Sequence, residues 1–195
     1  FQRLALAIVD EQHRFGVHQR LLLREKGRQN GRVPHQLIMT ATPIPRTLAQ
    51  AFYADLDVSV IDELPPGRKP VETVVLPDTR RAEVVTRVHA ACRAGRQTYW
   101  VCPLIEESDL LQAEAATETA ALLTAALPEL RVALVHGRMK PAEKEAVMRV
   151  FKDGAVQLLV ATTVIEVGVD VPNASLMIVE NAERLGLSQL HQLRG

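Results

Sequence analysis

Short apolar runs alternate along the chain with segments whose apolar side chains recur every three or four positions. Unbroken apolar runs of about four to eight residues are typical of strands covered on both faces, and longer periodic segments are typical of amphipathic helices. The pattern predicts strands at 4–9, 35–42, 57–61, 71–77, 98–105, 131–137, 156–163 and 174–181. It predicts helices at 44–54, 84–92, 110–127, 140–154 and 187–195.

Regular alternation of strands and helices predicts an α/β fold, with parallel sheets and helices on both faces. The segment DELPPGRKP is rich in proline, glycine and charge, which is typical of a linker. We therefore predict two lobes. Residues 1–62 would form the end of the first lobe, 63–70 the linker, and 71–195 most of a second lobe.

Two of the predicted helices have a clear apolar face. Side chains at helical spacing between 84 and 92 are Val84, Val85, Val88, Ala91 and Cys92. In the later helix the predicted face consists of Ala146, Val147, Val150 and Phe151, and Gly154 is the expected stop.

Composition narrows the classes of protein without identifying one. Hydrophobic residues make up 47% of the 195 residues, enough for a core, and Lys+Arg equals Asp+Glu at 23 each, so no strongly basic surface is expected. Cys92 and Cys102 lack the spacing of a zinc or CxxC motif and are predicted to be small buried residues. No leader or membrane-length apolar run is apparent, so we expect a cytoplasmic protein. Because the chain does not begin with Met, we expect it to be part of a longer protein.

The first strand ends in an unusual group of titratable residues, VDEQH. In parallel sheets, ligands bind beyond the carboxyl ends of the strands, where Asp10 and Glu11 are expected. Asp10 could hold Mg²⁺ and Glu11 could orient or deprotonate a water, as in the Walker B arrangement of nucleotide hydrolases. An Asp that caps a turn beside a solvated Glu explains the spacing equally well.

Other strand ends carry polar residues that are weaker signals on their own. Thr40 and Thr42 could link the acids or His13 to a neighbouring lobe, although a threonine-rich strand end before a proline turn is the commoner structure. His136 and Gly137 precede a helix N-terminus, whose amides can bind phosphate, but a His-Gly pair is usually only a turn.

The segment ATTVIEVGVDVP is more informative. Thr162 and Thr163 end a strand, Gly168 permits a tight backbone, and Asp170 lies between valines. A buried carboxylate needs a hydrogen-bond partner, which could be a ribose hydroxyl, an Arg across a cleft, or a local turn. The arginine-rich stretch 14–32 could touch DNA, but a solvated helix face is more common, and the glutamates near 107–118 are predicted to be on the surface.

The order of these motifs is far more specific than any one of them. VDEQH, TATPIPRT, VHGRM, ATTVIEVGVDVP and QLHQLRG resemble helicase superfamily 2 motifs II, III, IVa, V and the start of VI. IVDEQHRFGVHQR, YADLDVSVIDELPPGRKPV and VATTVIEVGVDVPNASLMIVENAERLGL are most similar to the RecG family of bacterial branched-DNA helicases. The resemblance covers nearly the whole chain and implies a RecA-like P-loop NTPase fold, with part of lobe 1 and most of lobe 2.

The resemblance also implies roles for the residues around the nucleotide. Asp10 would organise Mg²⁺, Glu11 would activate the attacking water, and His13 with Gln12 would sense the nucleotide across the cleft. Thr40 and Thr42 would couple that state to the second lobe.

Roles in the second lobe follow in the same way. His136, Gly137, Thr162 and Thr163 would lie on the DNA-tracking surface. Gly168 and Asp170 would approach the nucleotide from the far side of the cleft. Gln192 and Gly195 would begin motif VI, whose arginines normally reach the γ-phosphate. ATP, Mg²⁺ and branched or duplex DNA are the implied cofactors and partners, and the protein is expected to be a monomer that associates with the nucleoid through DNA.

Two alternatives stay open. The motor of the transcription-repair coupling factor is similar, but that family typically has DEEQRFGV where this chain has DEQHRFGV, and it lacks the DELPPGR linker. The other alternative is a non-catalytic adaptor on a degenerate RecA fold, because no GxxxxGK[ST] occurs in the 195 residues. Without that phosphate-binding loop and the motif VI arginines, we expect the chain alone neither to hydrolyse ATP nor to unwind DNA.

Overall fold

A computed structural model describes residues 4–10, 18, 22, 25–26, 33–40, 57–63, 70–103, 109–162 and 171–194. The helix predicted at 44–54 and most of the linker predicted at 63–70 lie outside these residues. In the described part, no helix is both long enough and apolar enough to cross a membrane.

Six strands and four α-helices follow one another in the described residues. The strands are β1 (Leu6–Val9), β2 (His35–Ile38), β3 (Gln97–Cys102), β4 (Val132–Val135), β5 (Leu158–Thr162) and β6 (Ala174–Val179). The helices are α1 (Arg81–Arg93), α2 (Asp109–Ala126), α3 (Pro141–Lys152) and α4 (Leu187–Arg194), with short 3₁₀ turns at Asp78–Arg80 and Ala182–Arg184.

The chain forms two compact units. Phe1–Val71 and Leu187–Gly195 make the first, and Glu72–Gly186 make the second. In the first unit β1 and β2 pair in parallel, from Leu6 opposite His35 to Val9 opposite Ile38. The lobe boundaries expected from the sequence stay a prediction.

The second unit contains a four-stranded sheet in which all pairs are parallel. Its strand order is β4-β5-β3-β6. Parallel neighbours require crossover connections: α2 connects β3 to β4 and α3 connects β4 to β5, whereas α1 precedes β3. The parallel α/β architecture expected from the sequence is therefore confirmed.

Both faces of this sheet are covered, because alternate side chains of each strand enter different clusters. One cluster joins Trp100 of β3 to Val88 of α1 and Leu123 of α2. The other joins Tyr99 to Phe151 of α3, whose ring lies edge-on with centroids 5.0 Å apart. Burial on both faces explains why β5 is apolar up to Thr162 and β3 is apolar after its two buried polar residues, Gln97 and Thr98. Cys92 and Cys102 are free thiols and buried, as predicted.

Two predicted strands are wrong. Residues 57–61 and 71–77 pair with no strand among the described residues. Their apolar side chains project outward, with Ile61 93% and Val75 92% exposed. β-Branched residues favour extended backbone, but a strand also needs a hydrogen-bonded neighbour, which a local pattern cannot supply.

The predicted apolar face of α3 is also partly wrong. Phe151 is fully buried and Val147 partly so, but Val150 is 44% exposed and Ala146 faces solvent. Met148 packs on the cluster instead. The buried stripe follows positions 147, 148 and 151, which are neighbours on a helical surface, and the predicted stripe was turned too far toward 146 and 150. Gly154, at φ 78°, ends the helix as expected.

Candidate functional site

The carboxyl ends of β1 and β2 place two predicted site residues at the same edge of a parallel pair. Val9 is opposite Ile38, and the Met39 N–H donates to the Val9 carbonyl at 2.8 Å. Asp10 and Thr40 follow directly and are both exposed. Asp10 aligns with Met39 and Thr40 lies one position further on, so a carboxylate and a hydroxyl both follow the strand ends at the edge where ligands bind to such sheets.

Most other residues predicted around the nucleotide cannot be placed. Glu11, Gln12, His13, Thr42, Thr163, Gly168, Asp170 and Gly195 lie outside the described residues. Gln192 lies in α4. The grouping of Asp10 with Thr40 is therefore the part of the predicted catalytic set that the structure describes.

The second unit has its own row of polar residues at the carboxyl edge of its sheet. Cys102 is opposite Thr162 in the β3–β5 pair, and Val135 is opposite Ala161, so His136 comes next to Thr162. Glu180 follows β6 and donates its N–H to the Val101 carbonyl at 3.0 Å. Alternation places these four side chains on the sheet face covered by α1 and α2.

Two atoms in this row are buried without a hydrogen-bond partner among the described residues: His136 Nδ1 and Thr162 Oγ1. Thr162 is only 2% exposed, whereas Gly137 lies on the surface. Buried polar atoms are almost always paired in proteins, so each unpaired atom calls for an explanation. Of the predicted DNA-contacting residues that the structure describes, Gly137 is thus exposed and Thr162 lies beneath the surface.

The turn after β4 is fixed by local hydrogen bonds. Lys144 Nζ donates to the Gly137 carbonyl at 2.9 Å, and the Lys140 N–H donates to Glu143 Oε2 at 2.9 Å. In the second contact the side chain of Glu143 caps the backbone N–H of the residue before α3, and Pro141 occupies the first position of the helix. These bonds hold His136 and Gly137 immediately before the α3 N-terminus.

An open groove of ≈ 660 Å³ lies beside this turn, between it and α2. Its polar lining includes His136 and Arg138 from the turn, and Glu114, Thr117 and Glu118 from α2. Glu114 and Glu118 are on the surface, as predicted. Among the described residues, no three His, Cys, Asp or Glu side chains are grouped closely enough to hold a metal ion.

At the other end of the row, Glu180 contacts a second charge and a thiol. Arg81 Nε donates to Glu180 Oε1 at 2.7 Å, and the Arg81 guanidinium lies 5.3 Å from the centre of the Trp100 ring. Cys102 Sγ donates to Glu180 Oε2 at 3.8 Å. Burial, with a further contribution from the Glu180 carboxylate, raises the pKa of the Cys102 thiol to about 12. Cys102 is therefore a protonated, unreactive thiol at neutral pH.

Sequence reasoning did not single out Glu180 or Arg81. A signal was present for Glu180, because it follows the apolar run ASLMIV as Asp10 follows LALAIV. The sequence contains no comparable signal for Arg81. An arginine within TRRAEVV has no distinguishing feature until the fold brings it to the end of β6.

Comparison with known proteins places the chain in a family. Residues 81–195 match the helicase conserved C-terminal domain. The chain is 74% identical, over its whole length, to the ATP-dependent DNA helicase RecG of Escherichia coli (strain K12). It spans 28% of that protein's length.

Solved structures agree with the fold. A structure of RecG bound to a three-way DNA junction matches the whole chain with a TM-score of 0.67 at 46% identity, over 24% of that chain. The helicase Lhr of Mycobacterium smegmatis, bound to ssDNA and AMP-PNP, matches 96% of this chain and 26% of its own, with a TM-score of 0.57 at 20% identity. The predicted RecA-like helicase fold is thereby confirmed. The chain belongs to the helicase conserved C-terminal domain family, and along its whole length it is similar to RecG proteins.

Proposed function

We propose that the chain is the motor segment of an ATP-dependent DNA helicase that remodels branched DNA, by fork reversal and branch migration, in recombination and repair. The observation that carries the proposal is the 74% identity, over the entire chain, to a protein named ATP-dependent DNA helicase RecG. The fold is consistent with it, because Asp10 and Thr40 emerge together at the ligand-binding edge of a parallel pair.

ATP is the proposed nucleotide, with Mg²⁺ as its ion. Asp10 would hold the ion, which fits the donor set, because Mg²⁺ in proteins is usually bound by one or two carboxylates together with phosphates and water. When bound, Mg²⁺ would neutralise charge on the phosphates. Glu11 would accept a proton from the attacking water, and Gly168, Asp170 and Gln192 would contact the nucleotide.

The remaining residues would connect nucleotide state to DNA movement. Gln12, His13, Thr40 and Thr42 are proposed to couple the ATP site to the second lobe. His136, Gly137, Thr162 and Thr163 would contact the DNA. His136 supports this assignment, since its Nδ1 has no hydrogen-bond partner among the described residues and its side chain lines the open groove.

The partners follow from the same resemblance. A RecG structure bound to a three-way DNA junction supports branched DNA as the substrate. We further propose that the whole protein acts as a monomer in the bacterial cytoplasm, associated with the nucleoid through DNA.

Asp10 provides the most direct test. In the full-length protein, Asp10→Asn should reduce DNA-stimulated ATP hydrolysis by on the order of 10²–10³-fold, the usual cost of removing an electrostatic group from a catalytic site. Asp57→Asn is the matched control, because Asp57 is an exposed aspartate of the same unit and lies in no regular element. It should keep wild-type ATPase activity and wild-type unwinding of a three-way junction.

The competing functions give different results in the same assays. A full-length protein that binds DNA without hydrolysing ATP would support the adaptor. ATP-dependent displacement of a stalled RNA polymerase, with no unwinding of a protein-free junction, would support the transcription-repair coupling motor. Equal activities of Asp10→Asn and Asp57→Asn would refute the role of Asp10.

A further inference from the structure

The ion pair between Arg81 and Glu180 joins two distant parts of the chain. The residues are 99 positions apart, and Arg81 Nε lies 2.7 Å from Glu180 Oε1. Trp100, fully buried beneath, offers its ring to the guanidinium at 5.3 Å. The pair is thus held by a charge contact from one side and a stacking contact from the other.

The position of Arg81 opposes the usual preference of a helix. Arg81 is the first residue of α1, where the helix dipole favours acidic side chains over basic ones. Its neighbours show the ordinary local solution: Glu83 in the first turn contacts Arg80 at 2.6 Å and Arg87 at 2.8 Å. Arg81 contacts Glu180 instead. Because a basic residue is unfavourable at the start of a helix, its presence there indicates that a contact outside the helix favours it.

Arg81 and Glu180 lie near the two ends of the second unit. The unit comprises Glu72–Gly186, and its first regular elements are the 3₁₀ turn Asp78–Arg80 and α1. Glu180 follows β6, the last strand of the sheet. The pair therefore joins the start of the folded unit to the point where the chain leaves its sheet.

The backbone after Glu180 changes direction at once. Asn181 has a positive φ of 47°, an uncommon conformation for a residue other than glycine, and the 3₁₀ turn Ala182–Arg184 follows. Leu185 is buried again at 8% exposure. Glu180 is thus the last residue of the chain here that hydrogen-bonds to a neighbouring strand. Residues 181–186, here called the exit segment, follow it and lead to α4, which contains Gln192.

We propose that the Arg81–Glu180 pair, seated on Trp100, positions this exit segment and so links α1 to the segment that carries Gln192. The inference rests on the proposed motor function and extends it. Glu180 and Arg81 would act as positioning residues, through their contact with each other and with Trp100. Loss of the pair would leave ATP binding intact and would uncouple hydrolysis from DNA movement.

The stability of the fold depends little on this pair. Its side chains are 41% and 22% exposed, and ion pairs of this exposure add little to stability because water screens them. A functional effect can therefore be separated from unfolding.

The test uses the full-length protein with Arg81→Met, Glu180→Gln and the exchanged pair Arg81→Glu with Glu180→Arg. The matched control is Arg80→Met with Glu83→Gln, which removes two ion pairs of similar length, Arg80–Glu83 and Glu83–Arg87, that both stay local to the start of α1. Measurements are kcat and KM for DNA-stimulated ATP hydrolysis, and base pairs of junction unwound per ATP.

We expect each single variant to lower base pairs unwound per ATP by on the order of two- to thirtyfold, the range typical of coupling changes, with KM for ATP unchanged. The exchanged pair should restore part of the loss, and the control should behave as wild type. Single variants with wild-type coupling would overturn the inference while leaving the proposed function standing. A wild-type protein without DNA-dependent ATPase would overturn both.

Hydrogen exchange provides a second readout that is independent of activity. Amides of residues 181–186 should exchange faster in Glu180→Gln than in wild type, whereas amides of β3 and β5 should be unchanged. Equal exchange at 181–186 would show that the pair does not position the exit segment. Faster exchange throughout the unit would show a general stabilising role instead.

Discussion

Thr162 shows how a single hydroxyl can mark a site. It ends β5, is 2% exposed, and has no partner for Oγ1 among the described residues. An unpaired buried hydroxyl costs about 1–3 kcal/mol, which selection for stability alone would remove by a change to valine. A threonine at this position is more easily explained by a ligand or a moving segment that supplies the missing partner.

Thr162→Val should therefore raise the free energy of unfolding of the second unit by about 1 kcal/mol, because valine has the same shape without the unpaired oxygen. Urea unfolding followed by Trp100 fluorescence measures it, since Trp100 is the single tryptophan of the chain and is fully buried. Thr98→Val is the control: Thr98 is equally buried, but its Oγ1 lies 3.5 Å from Cys92 Sγ. Equal gains in both variants would attribute the effect to the added methyl group.

Residues near strand ends could be located from sequence when the strand itself was clear, whereas their functional roles stay a prediction. Asp10 and Thr40 could be grouped from sequence because both follow apolar runs whose carboxyl ends must lie at one edge of a parallel sheet. Glu180 carried the same signal and was missed, while Arg81 could not be found at all. Its partner is 99 residues away, and only the fold brings the two together.

At the scale of elements, burial on both faces decided which strands were predictable. β3 and β5 are buried along their whole length, and most of their residues are apolar. Residues 57–61 and 71–77 have similar composition but no paired neighbour in the described chain, and their side chains are exposed. Local sequence indicates a preference for extended backbone. Whether an extended segment pairs with another strand depends on which parts of the chain the fold brings next to it.

The face of α3 that enters the core gives a prediction at this scale. Phe151→Ala should lower the free energy of unfolding of the second unit by about 3–5 kcal/mol, because it leaves a cavity next to Tyr99. Val150→Ala, on the next position of the same helix, should change it by less than about 0.5 kcal/mol, because Val150 is 44% exposed. Urea denaturation of both variants measures the difference. Similar losses would mean that the helix is rotated toward the face predicted from sequence.

At the scale of the whole molecule, the fold class was predictable from sequence, whereas the lobe bounds stay a prediction. Strand–helix alternation is local, and it sufficed to predict parallel sheets with helices on both faces. The two compact units of the structure are Phe1–Val71 with Leu187–Gly195, and Glu72–Gly186. The predicted lobe bounds of 1–62, 63–70 and 71–195 stay a prediction, because segment order alone does not fix which surfaces pack together.

The lack of a P-loop motif in the 195 residues leads to a prediction about the isolated chain. No GxxxxGK[ST] occurs in its 195 residues, so the backbone amides and lysine that hold the β- and γ-phosphates in P-loop NTPases have no counterpart in it. We therefore expect the 195-residue chain alone to show no DNA-stimulated ATP hydrolysis, measured as phosphate release with and without a three-way junction. The full-length protein, assayed in parallel, should hydrolyse ATP and respond to the junction. DNA-stimulated hydrolysis by the chain alone would contradict this expectation, and it would mean that the 195 residues bind triphosphate through groups other than a P-loop.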